Sequence, residues 1–161
     1  MTEPKPATDE IAALIERVDR AAAAYIQGNI REYFELTPHT TDFTLMPPYG
    51  GEPTVLGDTR TDQEIEVTSR YFRGGTARWE AAQTLVSRDM VVLVGIERQH
   101  GDVGEFPAQD WSLRVTQVFL RQDGQWKLAH RHADALVHPI PMDRMAALAR
   151  GDGSADPSDG L

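Results

Sequence analysis

Apolar residues recur at helical spacing early in the chain and at strand spacing later, and this change of period divides it in two. After a loose arm, residues 1–8, apolar side chains stand at Ile11, Leu14, Ile15, Val18, Ala22, Tyr25 and Ile26. That is the stripe of a helix buried along one side. Thr8 is placed to cap it, Asp9 and Glu10 suit the positive end of its dipole, and Gly28 suits its last turn. Asn29 then caps a short second helix, "IREYFEL", with Ile30, Tyr33 and Phe34 inward and Pro38 as its stop. "DFTLMPP" reads as a short strand broken by Pro47 and Pro48, "YGGEPT" as a turn, and "VLG" as a scrap of pairing strand. Thr61 and Glu64 form a T-x-x-E capping box that opens a third helix over about residues 62–73, ending at Gly74 and Gly75.

From Thr76 onward the period becomes two. "ARWEAAQTLVS", "MVVLVGIERQH", "WSLRVTQVFLRQ" and "QWKLAHRHADAL" are rich in strand formers and alternate at least in part. Arg88-Asp89, "GDVGEFPAQD" and "QDGQ" join them, and Asp123-Gly124 is a strong hairpin signal. "GDVGEFPAQD" is a candidate lid as well as a plain surface loop. Helices first and four longer strands afterwards indicate an α+β fold with an antiparallel sheet. One domain over residues 9–140 accounts for the pattern. The extension 141–161 begins with a short helix, Met142 to Arg150, and then becomes too poor in apolar residues to fold.

Composition narrows the function. Formal net charge is −9, which argues against nucleic acid and anionic membranes, since both need a concentrated basic surface. The chain has no cysteine, so disulfides, thiolate catalysis and cysteine-bound metals are excluded. No run approaches the roughly 20 apolar residues of a membrane helix. "MTEPKPATDE" lacks the layout of a signal peptide, so a cytoplasmic location is the expectation.

The chemistry concentrates in "GQWKLAHRHADAL", residues 124–136. On an unbroken strand, Trp126, Leu128, His130, His132 and Asp134 share one face, and Lys127, Ala129, Arg131 and Ala133 the other. The first row starts apolar and ends polar, as the wall of a half-dry cavity would. Its histidines stand roughly 6.7 Å apart, and Asp134 the same distance further on. His132 is therefore the candidate proton carrier, Asp134 its orienting partner and His130 a ligand contact. Packed histidines bonded to backbone are the alternative. Arg131, on the other row, needs an acid such as Glu80 or Glu97. Two metal ligands from His130-x-His132 are a further alternative, and Gly124, five residues and His-x-His match the start of the cupin pattern. A cupin would place a glutamate where Leu136 and Val137 stand, and its fold is nearly all strand, so neither metal nor cofactor is expected.

The order helix, short helix, strand, capped helix and four hairpin strands resembles the nuclear-transport-factor-2-like superfamily. "LRVTQVFLRQDGQWKLAHRHAD" and "LMPPYGGEPTVLGDTRTDQEI" resemble its SnoaL-like branch, over about residues 9–138. The resemblance implies a cone, in which a curved sheet wraps a long N-terminal helix and a pocket opens at the wide end. It implies homodimers through the outer sheet face. It also implies a range of roles, among them ketosteroid isomerases, polyketide cyclases, dehydratases and non-catalytic oligomerisation domains. Asp42 and Asp58 are possible equivalents of an isomerase base. Tyr25, Tyr49, Trp79 and Trp126 join His130 as candidate ligand contacts, with core or rim packing as the alternative for each. The expected ligand is a small apolar or carbonyl-containing molecule, handled by cofactor-free acid–base chemistry or simply bound; a dimerisation module is the competing reading.

Overall fold

The computed structural model describes residues 4–152. Helix α1 spans Thr8–Ile26, α2 Ile30–Leu36, α3 Asp62–Tyr71 and α4 Met142–Ala149. The strands are β1 His39–Met46, β2 Thr54–Val55, β3 Phe72–Val86, β4 Met90–Val103, β5 Gln109–Asp110, β6 Leu113–Gln122 and β7 Gln125–Asp134. They form one sheet in the order β2-β1-β7-β6-β4-β3, with β5 added to β4. β1 and β7 run parallel; the other pairs are antiparallel. This is the α+β cone, a curved and unclosed mixed sheet with α1 across its inner face.

Most local expectations hold. Thr61 and Glu64 close the capping box on α3. Gly28 takes φ 77° in the turn between α1 and α2, where glycine carries little strain. Asp123 and Gly124 both have positive φ, as a two-residue primed turn requires. Three expectations are corrected. The residue that precedes α1 is Ala7, with no side-chain cap bond, so Thr8 lies inside the helix. Gly74 and Gly75 do not end a helix. They lie inside β3, where a Cβ on Gly75 would meet the His100 carbonyl at 2.2 Å, so the glycine lets two strands close. β4 runs on to Val103, three residues into the predicted loop. The expected disorder of the tail falls, from residue 153 onward, outside the described residues.

The core lies between α1 and the inner sheet face. Leu14 and Val18 pack against Phe43, Leu93, Val115, Phe119, Trp126 and Leu128. Polar ties register the helix on the sheet. Asp19 accepts the Trp79 backbone N–H at 2.6 Å. Glu10 accepts from the Trp126 indole at 2.7 Å and from the Arg121 guanidinium.

Candidate functional site

The alternation expected of β7 breaks once. Leading out of the hairpin, Gln125, Trp126, Lys127 and Leu128 face Gln122, Arg121, Leu120 and Phe119 in turn. Then Val118 faces His130, leaving Ala129 without a cross-strand partner. This is a β-bulge, and one extra residue exchanges the two faces of everything beyond it. Trp126 and Leu128 point inward with Phe119. Past the bulge, Arg131 and Ala133 point inward, opposite Gln117 and Val115, and His130, His132 and Asp134 point outward, opposite Val118, Thr116 and Arg114. The expected single row of tryptophan, leucine and histidines is therefore corrected. His132 and Asp134 stand together, Nε2 to Oδ1 3.6 Å, but on the convex face. They line a shallow depression of about 360 Å³ with Arg114 and Thr116.

The exchange follows from desolvation. Without the bulge, two imidazoles and a carboxylate would enter the hollow, each needing a partner there. With it, a single guanidinium enters and meets a carboxylate. Arg131 Nη1 and Nη2 bond the two Glu97 oxygens, both at 3.0 Å. The side chains are 14% and 6% exposed. Glu97 comes from β4 and also accepts from the Gln99 amide. The expected pairing of Arg131 with Glu97 is found, on the inner face rather than the outer. Burial alone would lower the Arg131 pKa, but the Glu97 carboxylate, with Tyr33 and Tyr25 adding to it, raises it, so the guanidinium stays charged.

Two phenols complete the inner cluster. Tyr25, near the end of α1, and Tyr33, on α2, meet edge to face with ring centroids 4.9 Å apart. Burial pushes the Tyr25 phenol up to about 12, with Tyr33 adding to it, and raises Tyr33 as well. Both are therefore neutral hydrogen-bond donors. Tyr25, Tyr33 and Arg131 are hemmed in by protein yet keep some accessible surface. Tyr49, 88% exposed, lies near enough for its phenol to raise the Tyr25 pKa.

His39 borders the cluster at the start of β1. It packs against Phe43 and Phe34, centroids 3.9 and 5.1 Å away, and its ring nitrogens make no hydrogen bond of ordinary geometry among the described residues, the Gly57 backbone being the polar group nearby. Burial, then the nearby cations Arg60 and Arg131, depress its pKa to about 4. Arg60 itself donates to the carbonyls of Leu56 and Gly57 and lies over the Phe34 ring, which fastens the segment after β2 to α2.

Of the candidate residues, Tyr25 lies in this inner cluster and Tyr49 is exposed nearby. Trp126 and Trp79 are buried in the hydrophobic cluster, so both indoles are core. The Trp79 ring lies against Gly95, where a Cβ would approach it to 2.8 Å. Glu97, Arg131 and His39 were not legible as site residues. The only sequence signal for them was the need of Arg131 for an acid.

Comparisons agree with this architecture. A domain with a cystatin-like fold from Nostoc punctiforme is 14% identical and superposes with a TM-score of 0.63, covering 96% of this chain and 92% of that one. A candidate ketosteroid isomerase from Shewanella frigidimarina is 20% identical over 76% of this chain and 94% of its own, TM-score 0.58. The calcium/calmodulin-dependent kinase II hub homology domain from Chlamydomonas reinhardtii is 18% identical over 78% and 98%, TM-score 0.55. No curated protein matches the chain. The model of the SnoaL-like domain matches residues 14–137, and the chain belongs to that branch of the nuclear-transport-factor-2-like superfamily.

Proposed function

We propose that this SnoaL-like domain binds a small, mostly apolar molecule through a carbonyl oxygen, at the cleft formed by Tyr25, Tyr33 and the Glu97–Arg131 pair. The observation that carries the reading is two neutral phenols set beside a self-neutralised ion pair, with the rings of Phe34, His39 and Phe72 against them. The phenols offer donors, and the paired charges ask for no counter-ion, so the fitting ligand is an uncharged acceptor on an apolar frame. Binding is favoured over acid–base catalysis because the carboxylate nearest the phenols is held by Arg131 and Gln99. Both of its oxygens are already engaged, and the His132–Asp134 pair lies across the sheet.

The test is a titration with planar apolar ketones, a steroid 3-ketone first, followed by NMR chemical shifts and thermal stabilisation. Wild type should respond at Tyr25, Tyr33 and Arg131. Tyr25→Phe and Tyr33→Phe keep the ring volumes and should each weaken binding about five- to tenfold, the loss of one hydrogen bond. Unchanged affinity in the double variant would remove the phenols from the reading.

A second reading, compatible with the first, is self-association through the outer sheet face. Val92, Val94 and Ile96 on β4 lie beside Val118 and Leu120 on β6, and Leu85 and Met90 are exposed at their margin. Two carboxylates on this face, Glu80 and Asp134, are each bonded to arginine, Arg98 at 3.2 Å and Arg114 at 2.9 Å, and Asp110, opposite His100, lies near Arg98. A second copy would therefore meet an apolar patch whose nearest carboxylates are matched by cations.

A further inference from the structure

The outer side of β7 carries two imidazoles that the cleft does not use. His130 Nδ1 is 2.7 Å from Thr44 Oγ1 on β1, and the ring stands opposite Val118 on β6. His132 stands between Met46 on β1 and Thr116 on β6. The charged groups facing the pair are Lys127 and Asp134 on β7 and Arg114 on β6. β1 places Thr44 and Met46 there, with exposed Asp42 two residues before Thr44, and the Arg98–Glu80 and His100–Asp110 pairs lie further off on β3, β4 and β5. Asp134 is the one carboxylate in reach of His132, and Arg114 already occupies its other oxygen. Among the described residues no acid acts on His130.

We propose that His130 and His132 make self-association through this face acid-labile, so that two copies joined at neutral pH separate when the imidazoles take up protons in acid. The inference rests on the self-association reading above. On the separate chain both rings are half-buried and water solvates their charge. Beneath a second copy that water is lost, and two-fold symmetry doubles the number of added cations. Proton uptake therefore favours the separate chains. The His130 pKa, already lowered by burial and then by His132, moves in the same direction.

The sign of the effect is diagnostic. Protonating histidines brings the net charge of −9 nearer zero, which eases repulsion between whole molecules and by itself would tighten association. The local arrangement predicts loosening. Sedimentation velocity at pH 7.5 and pH 5.5, with circular dichroism confirming folded chain at both, tests it on wild type and on the double variant His130→Gln, His132→Gln. Wild type should dissociate at least tenfold more readily at pH 5.5, and the double variant should lose that dependence. A dimer equally tight at both pH values, or a double variant as acid-labile as wild type, would sink the histidine mechanism and leave the interface standing. A wild-type monomer at pH 7.5 at every concentration would overturn the interface and the mechanism together.

Discussion

The two halves of β7 obey the same alternation and lead to opposite assignments. From Gln125 to Leu128 the even-numbered residues face α1; from His130 to Asp134 they face away. The first half is fixed by the Asp123-Gly124 turn, which pairs Arg121 with Trp126 and Phe119 with Leu128. The second half is set by the unpaired Ala129. A turn is visible in a sequence because its residues need positive φ; an alanine bulge has no such marker. The contrast shows that a row of like residues at period two defines a face only as far as the next bulge.

The largest test of that contrast alters the opposite strand. One alanine inserted between Val118 and Phe119 would give Ala129 a partner and shift the phase of β6. Either Phe119, Leu128 and Trp126 would leave the core, or Arg131 would leave Glu97. Each large apolar side chain lost from a core costs about 3–5 kcal/mol, and several together exceed the stability of an ordinary domain. No cooperative melting transition should remain by circular dichroism. Deleting Ala129 instead keeps every ladder pair, and that variant should still melt cooperatively; if it does not, the bulge residue is needed for more than phase.

The next effect sharpens the account of what the bulge turns inward. Arg131→Met leaves the Glu97 carboxylate buried without its cation, and breaking a buried pair from one side costs about 3–5 kcal/mol. Urea denaturation should show that loss. Adding Glu97→Leu to it should recover most of the loss, because the charge that needed a partner is gone. If the single variant is as stable as wild type, the pair is not the reason for the inward turn.

A smaller effect separates the inner histidine from the outer ones. His39 is 7% exposed with a folded-state pKa of about 4 against an ordinary 6.5. Between these values the unfolded chain binds a proton that the folded chain does not. The stability this group supplies is complete above pH 6.5 and is lost as pH falls toward 4, about 3 kcal/mol in all. Urea midpoints measured across pH 7 to 4 should show the decline, and His39→Phe should flatten it. Equal acid sensitivity in that variant would assign the decline to other groups.

Much of the fold was legible because its signals are local. The α1 stripe, the Thr61–Glu64 box and the Asp123-Gly124 turn each act within a few residues. The candidate site was less legible because its parts come from α1, α2, β1, β4 and β7. Tyr25 and Tyr33 could be placed inward by helical period, but Arg131 could reach the hollow only through a phase change that its own sequence does not announce. Trp79 and Trp126 belong to the buried cluster that packs on α1, and Asp19 and Glu10 of that helix hold the Trp79 backbone and the Trp126 indole.

The parallel pairing of β1 with β7 ties the first strand to the last, and it bears on how the chain folds during synthesis. While a ribosome is still making the middle of the protein, β1 has only the two-residue β2 as a neighbour, and its other edge stays open until residues near 130 have left the exit tunnel. The α1–α2 segment and the β3–β4 hairpin can form early, but the sheet closes only at the end, a high-contact-order step and therefore a slow one. Nascent chains stalled before Gln125 should remain protease-sensitive, and release of only about ten further residues should convert them to a resistant form.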